Sequence, residues 1–187
     1  MINDNKKVLV LDDQDGPQML YGDEIRAVLN HPDSRLIKCR SLEAVEAQIS
    51  RGTRGDIKII AVVGDIEIYD REGDSSAVRE AGLSAARLLI EHMLRVSPEL
   101  YRPSGTVDGT TRLAHRSGPV QTEMFNYIVC SRYLELDDVT KGLRKLENDL
   151  KVWIPNKIER PVGLDEFRRV IRNTFGRCGV ALHGLKK

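Results

Sequence analysis

The sequence predicts an α/β fold, a doubly wound five-stranded parallel sheet with helices on both faces, and three features carry that expectation. Apolar runs of strand length, such as "KVLVL" and "IKIIAVV", are continuous rather than alternating, as in strands covered on both sides. Between them lie segments of helical periodicity, so that strand and helix alternate along the chain. No internal repeat interrupts that order.

"KVLVLDD" is the first strand. In "GPQMLYGDEIRAVLNH" the apolar residues Met19, Leu20, Ile25, Val28 and Leu29 fall close to helical spacing. "RLIKC" is the second strand, and Ser41 is placed to cap a helix over "LEAVEAQIS" that ends near Arg51 and Gly52. "DIKIIAVVGD" is the third and most apolar strand, followed by a helix in "SSAVREAGLSAARLLIEHMLRV". Residues 97–120 are dense in Pro, Gly, Ser and Thr without a sustained period, which reads as a long inserted loop. A fourth strand in "MFNYIVC", a helix in "LDDVTKGLRKLENDL" and a fifth strand in "KVWIP" follow. The last helix, "GLDEFRRVIRNTF", is expected to stop at Gly176. Residues 1–176 are thus expected to form one domain, and 177–187 a weakly structured tail.

A chain of 187 residues with 41% hydrophobic content suits a single domain with a substantial core. Lysine plus arginine (29) balances aspartate plus glutamate (28), so no global field draws the protein to nucleic acid or to an anionic membrane. No apolar run is long enough to span a bilayer, and the N-terminus has no signal-peptide core, so a cytoplasmic location is expected. Cys39, Cys130 and Cys178 lack paired or metal-type spacing and read as reduced thiols. His31, His92, His115 and His183 are scattered, which gives no support to a histidine-based metal site.

In a doubly wound sheet, ligands sit outside the carboxyl ends of the strands. Asp12 and Asp13 stand at the end of the first strand and Asp65 at the end of the third, so the fold would gather three acids in one crevice. Singly, Asp13 or Asp15 also fits a helix cap, and Gly64-Asp65 a turn. Jointly, three carboxylates within a few ångströms repel one another, and a divalent cation removes that penalty. Mg²⁺, which prefers hard oxygen ligands and commonly also takes a phosphate oxygen, suits the set.

The ordered motifs resemble the CheY-like receiver domain of two-component response regulators, over most of residues 6 to 176. "VLVLDD" is similar to that family's first strand with its acidic pair. "DIEIYDREG" is similar to the phosphoacceptor segment, with Ile68 and Gly73 in the expected places and Tyr69 where proline is usual. "YIVCS" resembles the fourth strand ending in a phosphate-binding Ser or Thr, here Ser131, and "RPVGLDEF" the fifth-strand Lys-Pro signature, with Arg160 in place of lysine. The resemblance implies a flavodoxin-like strand order 2-1-3-4-5 and a phosphorelay role. Asp65 would be the phosphoacceptor, with Mg²⁺ held by Asp12, Asp13, Asp65 and the backbone carbonyl of Glu67. Ser131 would meet the phosphoryl group, and either Arg160 or Lys157 would supply the cation. The implied donor is a histidine kinase or phosphotransfer protein. Output would pass to a downstream protein partner or a homodimer, since the few residues after the last helix leave no room for a DNA-binding module. The resemblance implies a signalling phosphoacceptor whose activity is at most self-phosphorylation and self-dephosphorylation, not a turnover enzyme.

The chain departs from that pattern in four places. Arg160 replaces a lysine, and Arg132 follows Ser131 where a small residue is usual. The stretch from Asp65 to Ser131 is roughly doubled, by a lengthened third helix and by the added 97–120 loop, whose Arg102, Arg112, Arg116 and His115 could face a partner or simply solvent. The aromatic switch residue has only Trp153 and Tyr133 as candidates. Two other readings follow. One is a pseudo-receiver, the same fold used as a binding or dimerisation module without phosphorylation. The other is a haloacid-dehalogenase-like phosphatase, in which "LVLDDQDG" would supply Asp13 as nucleophile and Asp15 as acid–base, but with the later motifs in the wrong order.

Overall fold

The computed structural model describes residues 6–29, 36–96, 126–154 and 156–177; the expected 97–120 insertion, with its Arg102, Arg112, Arg116 and His115, lies outside them, as do His31, Cys178 and His183. The elements are β1 (Lys6–Leu11), α1 (Asp15–Leu29), β2 (Leu36–Cys39), α2 (Leu42–Thr53), β3 (Lys58–Gly64), α3 (Arg79–Val96), β4 (Tyr127–Ser131), α4 (Asp137–Leu150), β5 (Asn156–Glu159) and α5 (Leu164–Arg177). All strand pairs are parallel, and the sheet order is β2-β1-β3-β4-β5. This is the flavodoxin-like, CheY-like arrangement.

The continuous apolar strands bury both faces, as their composition requires. Leu9, Leu11, Val62 and Val129 pack beneath α2, α3 and α4, whose Val45, Leu89 and Leu143 face inward. Val8, Val10, Val63 and Ile128 pack beneath α1 and α5, with Tyr21 and Phe167 in ring contact at 4.7 Å. Among the described residues, no helix is long and apolar enough to cross a membrane.

Register decides what sits at the strand ends. Lys7 pairs with Ile59 but Val8 pairs with Ala61, so β3 carries one extra residue, Ile60. Ile60 and Ala61 both pack on the α1/α5 side, after which alternation resumes. A one-residue slip flips every later side chain, so this bulge sets the phase of the rest of β3. It brings Leu11 opposite Gly64, and the next residues along the two strands are Asp12 and Asp65.

The fifth strand differs from its expected place. Residues 152–154 form no strand; the ladder with β4 is made by Asn156–Glu159, from Ile128↔Asn156 to Ser131↔Glu159. Val152 and Ile154 are apolar because they pack under α4. After Lys151 turns the chain in the left-handed region (φ 53), the Val152 N–H donates to the Glu147 carbonyl and the Ile154 N–H to the Glu147 carboxylate at 2.9 Å. β5 itself is a polar edge strand in which only Ile158 is buried, so it has no apolar run. Smaller differences are that β4 starts at Tyr127 and includes Ser131, α3 starts at Arg79, and α5 continues through Gly176 to Arg177.

One buried ionisable group lies far along α3 from the strand ends. His92 is fully buried against Gly52, and neither ring nitrogen has a hydrogen-bond partner among the described residues. Burial, with Arg95 adding to it, lowers its pKa, so the fold holds the neutral ring. A lowered folded pKa means that the unfolded chain takes up the proton first. Stability from this site is complete above the ordinary histidine range and is lost as pH falls through it. We expect the stability difference between His92→Leu and wild type to grow in the variant's favour as pH falls below about 6.5, by up to about 1.4 kcal/mol per pH unit. Urea denaturation at pH 7.5, 6 and 5 would measure it; parallel pH profiles for the two proteins would refute it.

Candidate functional site

The acid site is built by the ends of β1 and β3. The Asp65 N–H donates to the Leu11 carbonyl at 2.8 Å, which continues the strand pairing one step past Gly64 and holds the two chain ends together. Asp12 and Asp65 are buried, at 0% and 2% exposure, while Asp13 is half-buried. One carboxylate oxygen from each of the three lies within 4.8 Å of the others. Burial pushes the Asp12 carboxyl up to about 7, against the opposing pull of Arg160 and the Gln14 N–H, and with Asp65 and Asp13 adding to the rise. Burial likewise raises Asp13, and Asp65 is the next cause. The site therefore resists carrying its full negative charge unless a cation is present.

One cation is supplied by the chain. Arg160 follows β5, and its N–H donates to the Ser131 carbonyl at 3.1 Å. From there its side chain reaches across the strand ends: Nη1 donates to Asp12 Oδ2 at 2.8 Å and Nη2 to Asp65 Oδ2. Burial works against the guanidinium's charge, but Asp65 and Asp12 outweigh it and its pKa is raised. Lys157 is placed elsewhere. Its ammonium bonds the Glu147 carboxylate at 2.7 Å and the Ile154 carbonyl at 3.2 Å, so the fold brings Arg160, and not Lys157, to the acids.

The remaining oxygens of the buried pair are met by main-chain donors. Asp12 Oδ1 accepts the Gln14 N–H at 3.0 Å, so Asp12, rather than Asp13 or Asp15, closes the turn into α1. Asp65 Oδ1 accepts the N–H groups of Ile66 at 2.6 Å and Glu67 at 3.4 Å. Asp15 stands outside the three-acid cluster, exposed and 3.3 Å from Arg40. Ser131 is fully buried at the end of β4, and its Oγ accepts the Tyr133 N–H at 3.4 Å.

Two residues that the sequence reading did not single out brace the site. Gln18 on α1 is buried, and its side-chain amide donates to the carbonyls of Asp12 (2.7 Å) and Cys39 (2.6 Å), tying together the ends of β1 and β2. Arg40, just past β2, donates through Nε and Nη2 to the Asp13 carbonyl at 3.1 and 2.9 Å. The position of Arg40 at the carboxyl end of a strand was the available signal; nothing in the pattern marks Gln18. The Tyr133 ring has two guanidinium groups near its centroid, Arg132 at 4.9 Å and Arg79 at 5.7 Å. A hydrogen bond with Glu67 is the main cause of that tyrosine's raised pKa. Trp153 is exposed, in the non-strand segment before β5. Cys39 and Cys130 are buried free thiols, pushed up by burial to about 12 and about 11, hence inert.

The loop after Asp65 is held by glycine. A Cβ on Gly82 of α3 would lie 1.8 Å from the Ile66 carbonyl oxygen, so only glycine allows the helix to approach this backbone. Gly73 turns the same loop at φ +92.

No protein-family model matches the chain, and no curated protein does. Among solved structures it is similar to the phosphorylated cyanobacterial phytochrome response regulator RcpA, at 12% identity and a TM-score of 0.45, with 91% of each chain covered. It is also similar to the isolated REC domain of RcsB from Salmonella enterica serovar Typhimurium in the presence of the phosphomimetic BeF3⁻. That match has 14% identity and a TM-score of 0.41, and covers 98% of this chain and 91% of the other.

Gly82→Ala should push the Ile66 backbone away from α3 and cost about 1–3 kcal/mol by overpacking. A fall in the urea midpoint with an unchanged m-value is the expected result, and a midpoint equal to wild type would disprove the close approach.

Proposed function

We propose that the protein is a receiver-like signalling module of the cytoplasm. It would take a phosphoryl group on Asp65 from a phosphohistidine of a histidine kinase or phosphotransfer protein, and pass the change to a downstream protein or a second copy of itself. The observation that supports this best is the meeting of Asp12, Asp13 and Asp65 oxygens within 4.8 Å at the carboxyl ends of β1 and β3. Hard carboxylate oxygens, two of them on deeply buried acids, are a donor set that fits Mg²⁺. Asp12, Asp13, Asp65 and the main-chain carbonyl of Glu67 would hold the ion, which when bound offsets charge on the equatorial oxygens of a transferring phosphoryl group.

The chain's own groups then have distinct tasks. An Asp65 carboxylate oxygen attacks phosphorus and forms an acyl phosphate, while the P–N bond to the donor imidazole breaks and the imidazole keeps the bonding pair. Ser131 Oγ is the hydroxyl at the end of β4 that would donate to a phosphoryl oxygen. Arg160, which reaches Asp65 in the metal-free site, would offer a guanidinium N–H to another. One observation favours a second reading, a phosphorylation-independent binding or dimerisation module: Arg160 already spans both buried acids and satisfies them without any phosphoryl group.

Mass spectrometry of the intact protein separates these readings. After incubation with Mg²⁺ and acetyl phosphate, an active receiver gains one phosphoryl mass, dependent on Mg²⁺ and absent in Asp65→Asn. No adduct in the wild type, with donor and Mg²⁺ in excess, would reject phosphoacceptor chemistry and leave the binding-module reading.

A further inference from the structure

We propose that the Arg160 guanidinium is a built-in rival of the divalent cation, holding the two buried carboxylates that the ion needs, so that the ion binds only as Arg160 withdraws. The inference rests on the cation site proposed above. Both outward oxygens of the buried pair, Asp12 Oδ2 and Asp65 Oδ2, are taken by the two Nη groups of Arg160. Both inner oxygens are taken by main-chain N–H groups. A cation ligated by Asp12 and Asp65 must therefore replace the guanidinium on the oxygens that face it, or sit beside a fixed positive charge in a poorly hydrated crevice. Either course weakens binding.

Two further features make withdrawal feasible. Arg160 Nε is buried with no hydrogen-bond partner among the described residues, so nothing described anchors the inner part of the guanidinium. Arg160 also lines a cavity of about 470 Å³ with Gln14, Pro17, Tyr21, Arg132 and Val162, which gives the released side chain a place beside the site. The identity of the residue matters. A planar guanidinium can bridge two separate carboxylates through two N–H groups, whereas an ammonium on a flexible stem is a single point charge. The metal-free site is thus partly neutralised by one guanidinium shared between two carboxylates, and cation binding becomes an exchange of one positive group for another.

Calorimetric titration of the full chain with Mn²⁺ alone, without a phosphodonor, tests this on wild type, Arg160→Met and Arg160→Lys. Arg160→Met should bind roughly tenfold or more tighter than wild type, the size of one well-made charge-assisted pair. Arg160→Lys, which keeps the charge but not the bridge, should fall between. Melting in EDTA gives a second readout: Arg160→Met should melt below wild type and be restored by Mn²⁺, while the wild type moves little. Should Arg160→Met fail to fold, Arg160→Lys carries the comparison alone. Equal or weaker Mn²⁺ affinity in the variants overturns the rivalry while leaving the cation site standing. No heat of binding in any of the three proteins overturns the cation site and the rivalry together.

Discussion

Two carboxylates buried side by side are the constraint around which this fold is organised. Isolated in a dry crevice, Asp12 and Asp65 would each carry a desolvation penalty of several kcal/mol, and their mutual repulsion adds to it. The chain answers with one guanidinium, Arg160, that contacts both. That contact reaches from the outer strand β5 across to β1 and β3, and its backbone is pinned by the ladder that joins Arg160 to Ser131. A single side chain therefore joins three of the five strands through electrostatics. The half-buried Asp13 is left with partial access to water, and its carbonyl is held by Arg40.

What was legible in the sequence follows from how local the signals are. The three acids could be read because each stands at the end of an apolar run, and strand ends in a parallel sheet converge by topology. The sheet's composition could be read because both faces are covered, which leaves continuous runs such as "IKIIAVV". The place of β5 could not, since an edge strand with one buried residue carries no run, and the apolar residues just before it pack under a helix instead. "KVWIP" looked like a strand for a reason of tertiary packing. The bulge at Ile60 was equally invisible: one extra residue in an otherwise uniform apolar segment changes no local pattern, yet it decides which side chains share a face.

The choice between Arg160 and Lys157 shows why register matters more than residue type. Both are cations within four positions of each other, and a strand placed at 151–155 left either one plausible. With β5 at Asn156–Glu159, Lys157 lies within the strand, paired opposite Val129, and its ammonium is taken by Glu147 beneath α4. Glu147 is itself buried, so its charge needs that partner, and Lys157 cannot leave without stranding it. Strand register thus divides the two cations: Arg160 goes to Asp12 and Asp65, and Lys157 to Glu147.

The same geometry limits how a change at Asp65 can be felt. Because Arg160 sits at the turn between β5 and α5, a group that replaces the carboxylate's charge or claims its outward oxygen acts first on that turn. α5 begins four residues later and packs through Phe167 on Tyr21 of α1, and its Arg168 clasps the buried Glu24 of α1. On the opposite side, the loop carrying Ile66 and Glu67 is confined by Gly82, leaving it little freedom to yield. The path outward from the acids therefore runs through Arg160 toward β5 and α5, by way of its two ion pairs rather than a close backbone approach like that of Gly82.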